Sequence, residues 1–118
     1  RHAATSYRER LGALGFTVAP VPEGWRENGY LSVVLFDPAD RPTVETVLKE
    51  HQIGFGRVYP GAMSKQPGAG DTLIDRLGGE HADRLCQGVI NPPLFAHMTD
   101  DEIDRVVDAF ARVAERLR

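Results

Sequence analysis

Apolar positions recur every three or four residues at Ala4, Tyr7, Leu11 and Leu14, a spacing that stacks them on one stripe of a helix over residues 1–14, with Gly15 in the terminating place. Phe16-Thr17-Val18-Ala19 then alternates as a short strand and stops at Pro20-Val21-Pro22. Residues 23–29 are polar and turn-rich around Trp25. Residues 30–36 form a nearly continuous run of β-branched and aromatic side chains, which predicts a strand buried on both faces and central in its sheet. Asp37-Pro38-Ala39-Asp40 reads as a turn, with Asp40 as an N-cap and Pro42 in the first turn of the next helix, where a missing N–H is no loss. That helix turns Val44, Val47 and Leu48 inward and ends near His51.

Residues 53–59 read as a third strand, interrupted by Gly54 and Gly56 and closed by Pro60. A long Gly-rich loop occupies residues 61–79, in which only residues 72–77 are apolar enough to pack; loops of this length are functional or mobile. Residues 80–86 suit one or two helical turns, Val89-Ile90 a brief fourth strand, and Pro92-Pro93 a rigid stop. Thr99-Asp100-Asp101-Glu102 is a capping box, with a hydroxyl at the cap and a carboxylate at the third helical residue. The stripe Ile103, Val106, Val107, Phe110, Val113, Ala114 and Leu117 keeps helical period behind it. This order of elements predicts a single α+β domain over residues 1–118, a small mostly antiparallel sheet with helices packed on one face.

Composition narrows the class without changing the fold. The chain has 118 residues, 42% hydrophobic and 26% charged, which is ordinary for a soluble globular domain and excludes collagen, a coiled coil and a disordered tail. Its longest apolar run is Val33-Val34-Leu35-Phe36, far short of the roughly 20 residues of a membrane span. A net charge of -3 with dispersed arginines offers no electrostatic footprint for a phosphate backbone, so neither membrane nor nucleic acid is expected as a partner. The single cysteine, Cys86, excludes an internal disulfide and suits a reducing, cytoplasmic home.

Candidate chemistry is sparse. The histidines His2, His51, His81 and His97 lack metal-ligand spacing and read as surface or helix-terminal residues. Cys86 beside Leu85 reads as a small buried hydrophobe, with no neighbouring His or helix N-terminus to activate it. Asp100, Asp101 and Glu102 complement a helix dipole rather than forming an acid/base pair. Gly54-Phe55-Gly56 opens no helix and is a weak phosphate cradle. The run around it is more informative: Arg57 as a fixed cation, Tyr59 as an aromatic body with a hydroxyl, then Lys65 and Gln66. Such a set at a strand end suits an anionic, hydroxyl-rich ligand; it also fits a plain strand end with a solvated arginine. No catalytic, cofactor-binding or metal-ligating set is visible.

Around Tyr59-Pro60, and in ordered motifs over nearly the whole chain, the sequence resembles the C-terminal small domain of the DegT/DnrJ/StrS family of pyridoxal-phosphate-dependent sugar aminotransferases. Ile53-Gly54, Arg57, Tyr59-Pro60, Gln66-Pro67, Ala82, Leu85, Val89-Ile90, Pro93, Thr99, Glu102, Ile103 and Val106-Val107 fall in the family's order and near its spacing. Arg1, Ala4, Tyr7 and Leu11 are similar to the helix that links the family's two domains. Three positions depart: Val58 and Ser64 stand where histidines flank the Tyr-Pro in many members, and Asn91-Pro92 replaces a usual Ser-Leu. Sugar contacts made through those histidines therefore do not carry over.

The resemblance implies the C-terminal part of a fold-type-I aminotransferase, with a linking helix over residues 1–14 and the α+β small domain over residues 15–118. The Schiff-base lysine, the Asp on the pyridinium nitrogen and the phosphate-holding groups would then belong to a large domain upstream of Arg1, or to a separate large subunit, and pyridoxal phosphate would bind there rather than here. The resemblance also implies a nucleotide-linked keto-sugar or similar natural-product precursor as substrate, a place in sugar or antibiotic biosynthesis, a homodimer, and a cleft-closing role in which Arg57, Tyr59, Lys65 and Gln66 contact substrate. The alternative is a non-catalytic module that binds a ligand, regulates, or completes another subunit.

Overall fold

The computed structural model describes residues 1–70 and 77–118. Helix α1 spans His2–Ala13 and buries Ala3, Ala4, Tyr7 and Leu11. Gly15 at φ +94 turns the chain out of it, a left-handed conformation that costs glycine little. Strand β1, Thr17–Val18, pairs antiparallel with β2, Val34–Leu35, which pairs antiparallel with β3, Val89–Ile90. The sheet order β1-β2-β3 makes β2 central, as its apolar run predicts.

Between β2 and β3 lie helix α2, Arg41–Glu50, and helix α3, Glu80–Gln87. Helix α4, Asp100–Leu117, closes the chain. The capping box is complete, Thr99 Oγ1 accepting from Glu102 N at 3.2 Å and the Glu102 carboxylate accepting from Thr99 N at 2.8 Å. Behind it Ile103, Val106, Val107, Phe110, Val113 and Ala114 are all buried. α4 packs against α1 and α2, and these three helices share one core with the sheet. Phe110 meets Phe16 edge to face, ring centroids 5.2 Å apart and planes at 83°, a favoured aromatic geometry. The architecture is α+β with a small antiparallel sheet.

Several local expectations give way to specific interactions. The run 30–36 is not one strand buried on both faces: Tyr30 is 82% exposed, because Tyr30 N donates to Asn28 Oδ1 at 3.0 Å and Gly29 sits at φ +71, turning the chain away from the sheet. Pairing is regained at Val33, whose carbonyl accepts from Ala19 N, and ends at Phe36, whose N–H donates to Gly88 O. Asp40 does not cap α2 with its side chain. Asp37 caps instead, its carboxylate accepting from Ala39 N at 3.0 Å to open a 3-10 turn, Pro38–Asp40, that runs into the helix, with Pro42 in its first turn.

The predicted strand 53–59 is reduced to one antiparallel bridge, Gly56 with Asn91. Gln52 at φ +57 and the Ile53 N–H bonded back to Leu48 O spend the first residues on ending α2, and two glycines leave little side chain to hold a ladder. Of the apolar stretch 72–77 in the long loop, residues 72–76 lie outside the described part, and Leu77 is exposed.

Candidate functional site

Past Gly56 the chain leaves the sheet, and all of the sequence-predicted contact residues lie on this outgoing segment. Arg57, Tyr59, Lys65 and Gln66 are exposed. Two of them serve the loop itself: Lys65 Nζ lies 3.3 Å from Asp83 on α3, and Gln66 Nε2 donates to Gly61 O at 2.8 Å. Their polar groups bind the short 3-10 turn Met63–Lys65 to its surroundings. Arg57 and Tyr59 make no hydrogen bond or ion pair with any described residue. An arginine side chain carries five donors and a charge that never leaves it in water, so an unpaired one is available to an anion.

What fixes the root of this segment is a residue the sequence reading passed over as a departure. Asn91 is a buried polar residue, 5% exposed. Its backbone exchanges both bonds with Gly56, N to O at 3.0 Å and O from N at 2.8 Å. Its side-chain amide reaches two ways: Nδ2 donates to Ser32 O at 2.9 Å, and Oδ1 accepts from Val58 N at 3.2 Å. One planar amide thus ties the chain just before β2 to the segment that carries Arg57 and Tyr59. The available signal was an Asn between an apolar strand and Pro-Pro, where a polar side chain has to find partners or stay unpaid.

Beside this junction is an open cleft of about 310 Å³, lined by Tyr30, Phe55, Val58, Asn91, Pro92 and Leu94 among others. A larger one, about 590 Å³, lies over the start of α1 and includes His2, Asn28, Phe95 and His97. The two share Tyr30 and Leu94, so they adjoin. Arg57 and Tyr59 do not line either; they flank the first through Val58, which does. The wall beneath them is apolar: Val58 brings a branched hydrocarbon, half exposed, to the position before Tyr59.

The rest of the titratable inventory has structural partners. Tyr7 is fully buried, its hydroxyl donating to Pro93 O at 2.8 Å; burial, with a smaller contribution from Glu102, pushes its pKa up to about 12. Arg41, also missed from sequence, clamps the turn between α3 and β3, donating to the carbonyls of Gln87, Cys86 and Val89 at 2.6, 3.3 and 2.7 Å while pairing with Glu45 at 2.9 Å. Its guanidinium also lies over the Phe36 ring. Cys86 is buried, His2 pairs with Asp100 on the surface at 2.7 Å, and Glu102 is spent on its cap. Among the described residues no group of three or more His, Cys, Asp or Glu could hold a metal ion, and no helix is long and apolar enough to cross a membrane.

A lysine that holds an aldehyde cofactor must present a free amine beside a carboxylate set for the ring nitrogen. The chain has only Lys49 and Lys65. Lys49 lies over the Phe55 ring and 3.8 Å from Glu45, and Lys65 is drawn to Asp83. These residues do not fit the group.

The fold matches the crystal structure of an aminotransferase, TlmJ from Streptoalloteichus hindustanus, with a TM-score of 0.74 at 19% identity, covering 99% of this chain and 31% of that one. The chain thus spans about a third of the length of the structure it matches. No curated protein matches it. A family model runs over residues 1–111, from the first helix to the middle of α4, and by that match the chain belongs to the DegT/DnrJ/EryC1/StrS aminotransferase family.

Proposed function

We propose that this chain is the small C-terminal domain of a pyridoxal-phosphate-dependent aminotransferase acting on a nucleotide-linked keto-sugar, and that it closes one side of the active-site cleft with the segment Arg57–Tyr59. The observation that carries the reading is the family match over residues 1–111, in a chain that presents an exposed arginine with no hydrogen bond or ion pair to any described residue. The cofactor supplies the electron sink for moving the amino group; its lysine and ring-nitrogen carboxylate lie in a large domain or subunit beyond these residues. What this chain contributes is recognition. Arg57 meets the diphosphate or another anionic group of the substrate, Tyr59 offers a hydroxyl and a ring face, and the apolar wall at Val58 and Tyr30 excludes water beside them. Lys65 and Gln66 shape the loop that carries this wall rather than reaching the ligand first. The reading extends to a homodimer acting in the cytoplasm, a state supported by the resemblance and by the single unpaired cysteine.

The experiment takes the protein at its natural length. Borohydride should bleach its visible absorbance and leave the cofactor covalently fixed on a peptide outside residues 1–118, and Arg57→Ala should weaken binding of a nucleoside diphosphate by about ten- to a hundredfold, the loss of one or two charge-assisted bonds. Thermal stability should change little, since Arg57 is exposed and unpaired. A colourless full-length protein, or a variant that loses stability while keeping affinity, would overturn the proposal.

A further inference from the structure

We infer that Asn91 is a positioning residue for substrate recognition: its side-chain amide sets the path of Arg57–Tyr59, acting through Val58. The inference deepens the function proposed above and rests on it. Among the described residues no strand holds that segment; beyond the Gly56 bridge, its one hydrogen bond to the sheet is Val58 N donating to Asn91 Oδ1. That acceptor is itself held in place, because the other end of the amide is anchored on the Ser32 carbonyl in the interior. The juxtaposition demands an amide. A carboxylate keeps the acceptor for Val58 and loses the donor for Ser32; a serine is too short to reach both; a leucine offers neither. Asn91 touches the ligand cleft only at its wall, so its effect passes through the backbone of residue 58. Displacing that backbone shifts the residues on either side of it, Arg57 and Tyr59, whose side chains have no hydrogen bond or ion pair to any described residue.

The geometry therefore separates two roles that sequence alone merges. Arg57 binds, and Asn91 aims it. The test uses the full-length protein with UDP and dTDP as probes and compares Asn91→Leu, Asn91→Asp and Arg57→Ala by equilibrium binding and by amide hydrogen exchange. Asn91→Leu should raise the dissociation constant about tenfold and speed exchange at Val58, while Phe36, whose N–H is bonded to Gly88 O on the other side of β3, keeps its protection. Asn91→Asp, which retains the acceptor, should keep Val58 slow and bind more tightly than Asn91→Leu.

Unchanged Val58 exchange in Asn91→Leu overturns the inference, and so does unchanged affinity in that variant when Arg57→Ala has lost it. Loss of protection at Phe36 together with Val58 in both Asn91 variants also overturns it, because Asn91 would then hold the sheet and not the segment. If Arg57→Ala binds as well as the parent, the failure belongs to the proposed substrate contact, and the exchange at Val58 still reads the tether by itself.

Discussion

The two ends of β3 are held by opposite means. At its start, Gly88 is pressed between β2 and the turn into α2, and Arg41 reaches in to satisfy the carbonyls of Cys86, Gln87 and Val89. Backbone, ring and guanidinium leave no slack there. At its far end, past Ile90, residues 57–60 hang on a two-bond bridge at Gly56 and one side-chain amide, and all four are exposed. The first end is built for stability. The second gives up contacts and leaves a cation exposed, which makes it the end that opens at lower free energy.

The sharpest way to break the comparison is Gly88→Ala. A Cβ at this position would stand inside the van der Waals shell of the Phe36 carbonyl oxygen and 3.3 Å from Pro38 Cδ. Both are backbone or ring atoms that cannot swing aside, and moving them also disturbs the bond from Phe36 N to Gly88 O. Overpacking of this kind costs about 3 kcal/mol or more. Denaturant unfolding should show it; a midpoint within error of the parent would mean that this end of β3 has room after all.

Tyr7 sharpens the same comparison from the far side, because its hydroxyl donates to Pro93 O just beyond the loose end. Its phenol is buried in the core, so the neutral form is favoured and the folded pKa, about 12, lies above the ordinary 10.0. The unfolded chain gives up this proton first. Stability from Tyr7 is therefore full below pH 10 and is lost as pH rises through about 12, a decline approaching 2–3 kcal/mol for a shift of about two units. Unfolding free energies of the parent and Tyr7→Phe, followed from pH 9 to pH 12, check it. The variant loses this particular slope, and equal slopes would show that Tyr7 is more wetted than its packing implies.

The same contrast explains which parts of the molecule could be read from sequence. α4 was legible because everything that makes it is local: the cap, the carboxylate three residues on, and an apolar stripe of constant period. The central place of β2 was legible from its apolar run, but its first residues were not, since Asn28 and Gly29 redirect Tyr30 by a turn that composition alone does not reveal. The Asn91 tether and the Arg41 clamp were illegible for one reason. Each depends on a partner more than thirty residues away, Val58 in one case and the end of α3 in the other. Arg57 and Tyr59 were nameable as residue types fit for an anionic ligand. Their setting was not, because it is made by an amide whose two partners come from separate stretches of chain.

The smallest expected effect is at Gly56, the glycine of the loose end. A Cβ there would meet Asn91 Cβ at 3.5 Å, Asn91 Oδ1 at 3.8 Å and Asn91 O at 3.9 Å, all ordinary van der Waals distances, and the residue does not occupy the left-handed region that favours glycine. Gly56→Ala should therefore fold with its bridge intact. Restricting the unfolded chain should even raise stability slightly, by about 0.4–1 kcal/mol. The same substitution thus has opposite signs at the two ends of one short strand, Gly88 against backbone and Gly56 against a side chain with room beside it. Paired thermal melts of the two variants test this directly: a fall at Gly56 comparable to that at Gly88 would mean that the Asn91 junction is as tightly packed as the Arg41 clamp, and that the segment carrying Arg57 is held by packing rather than by an amide.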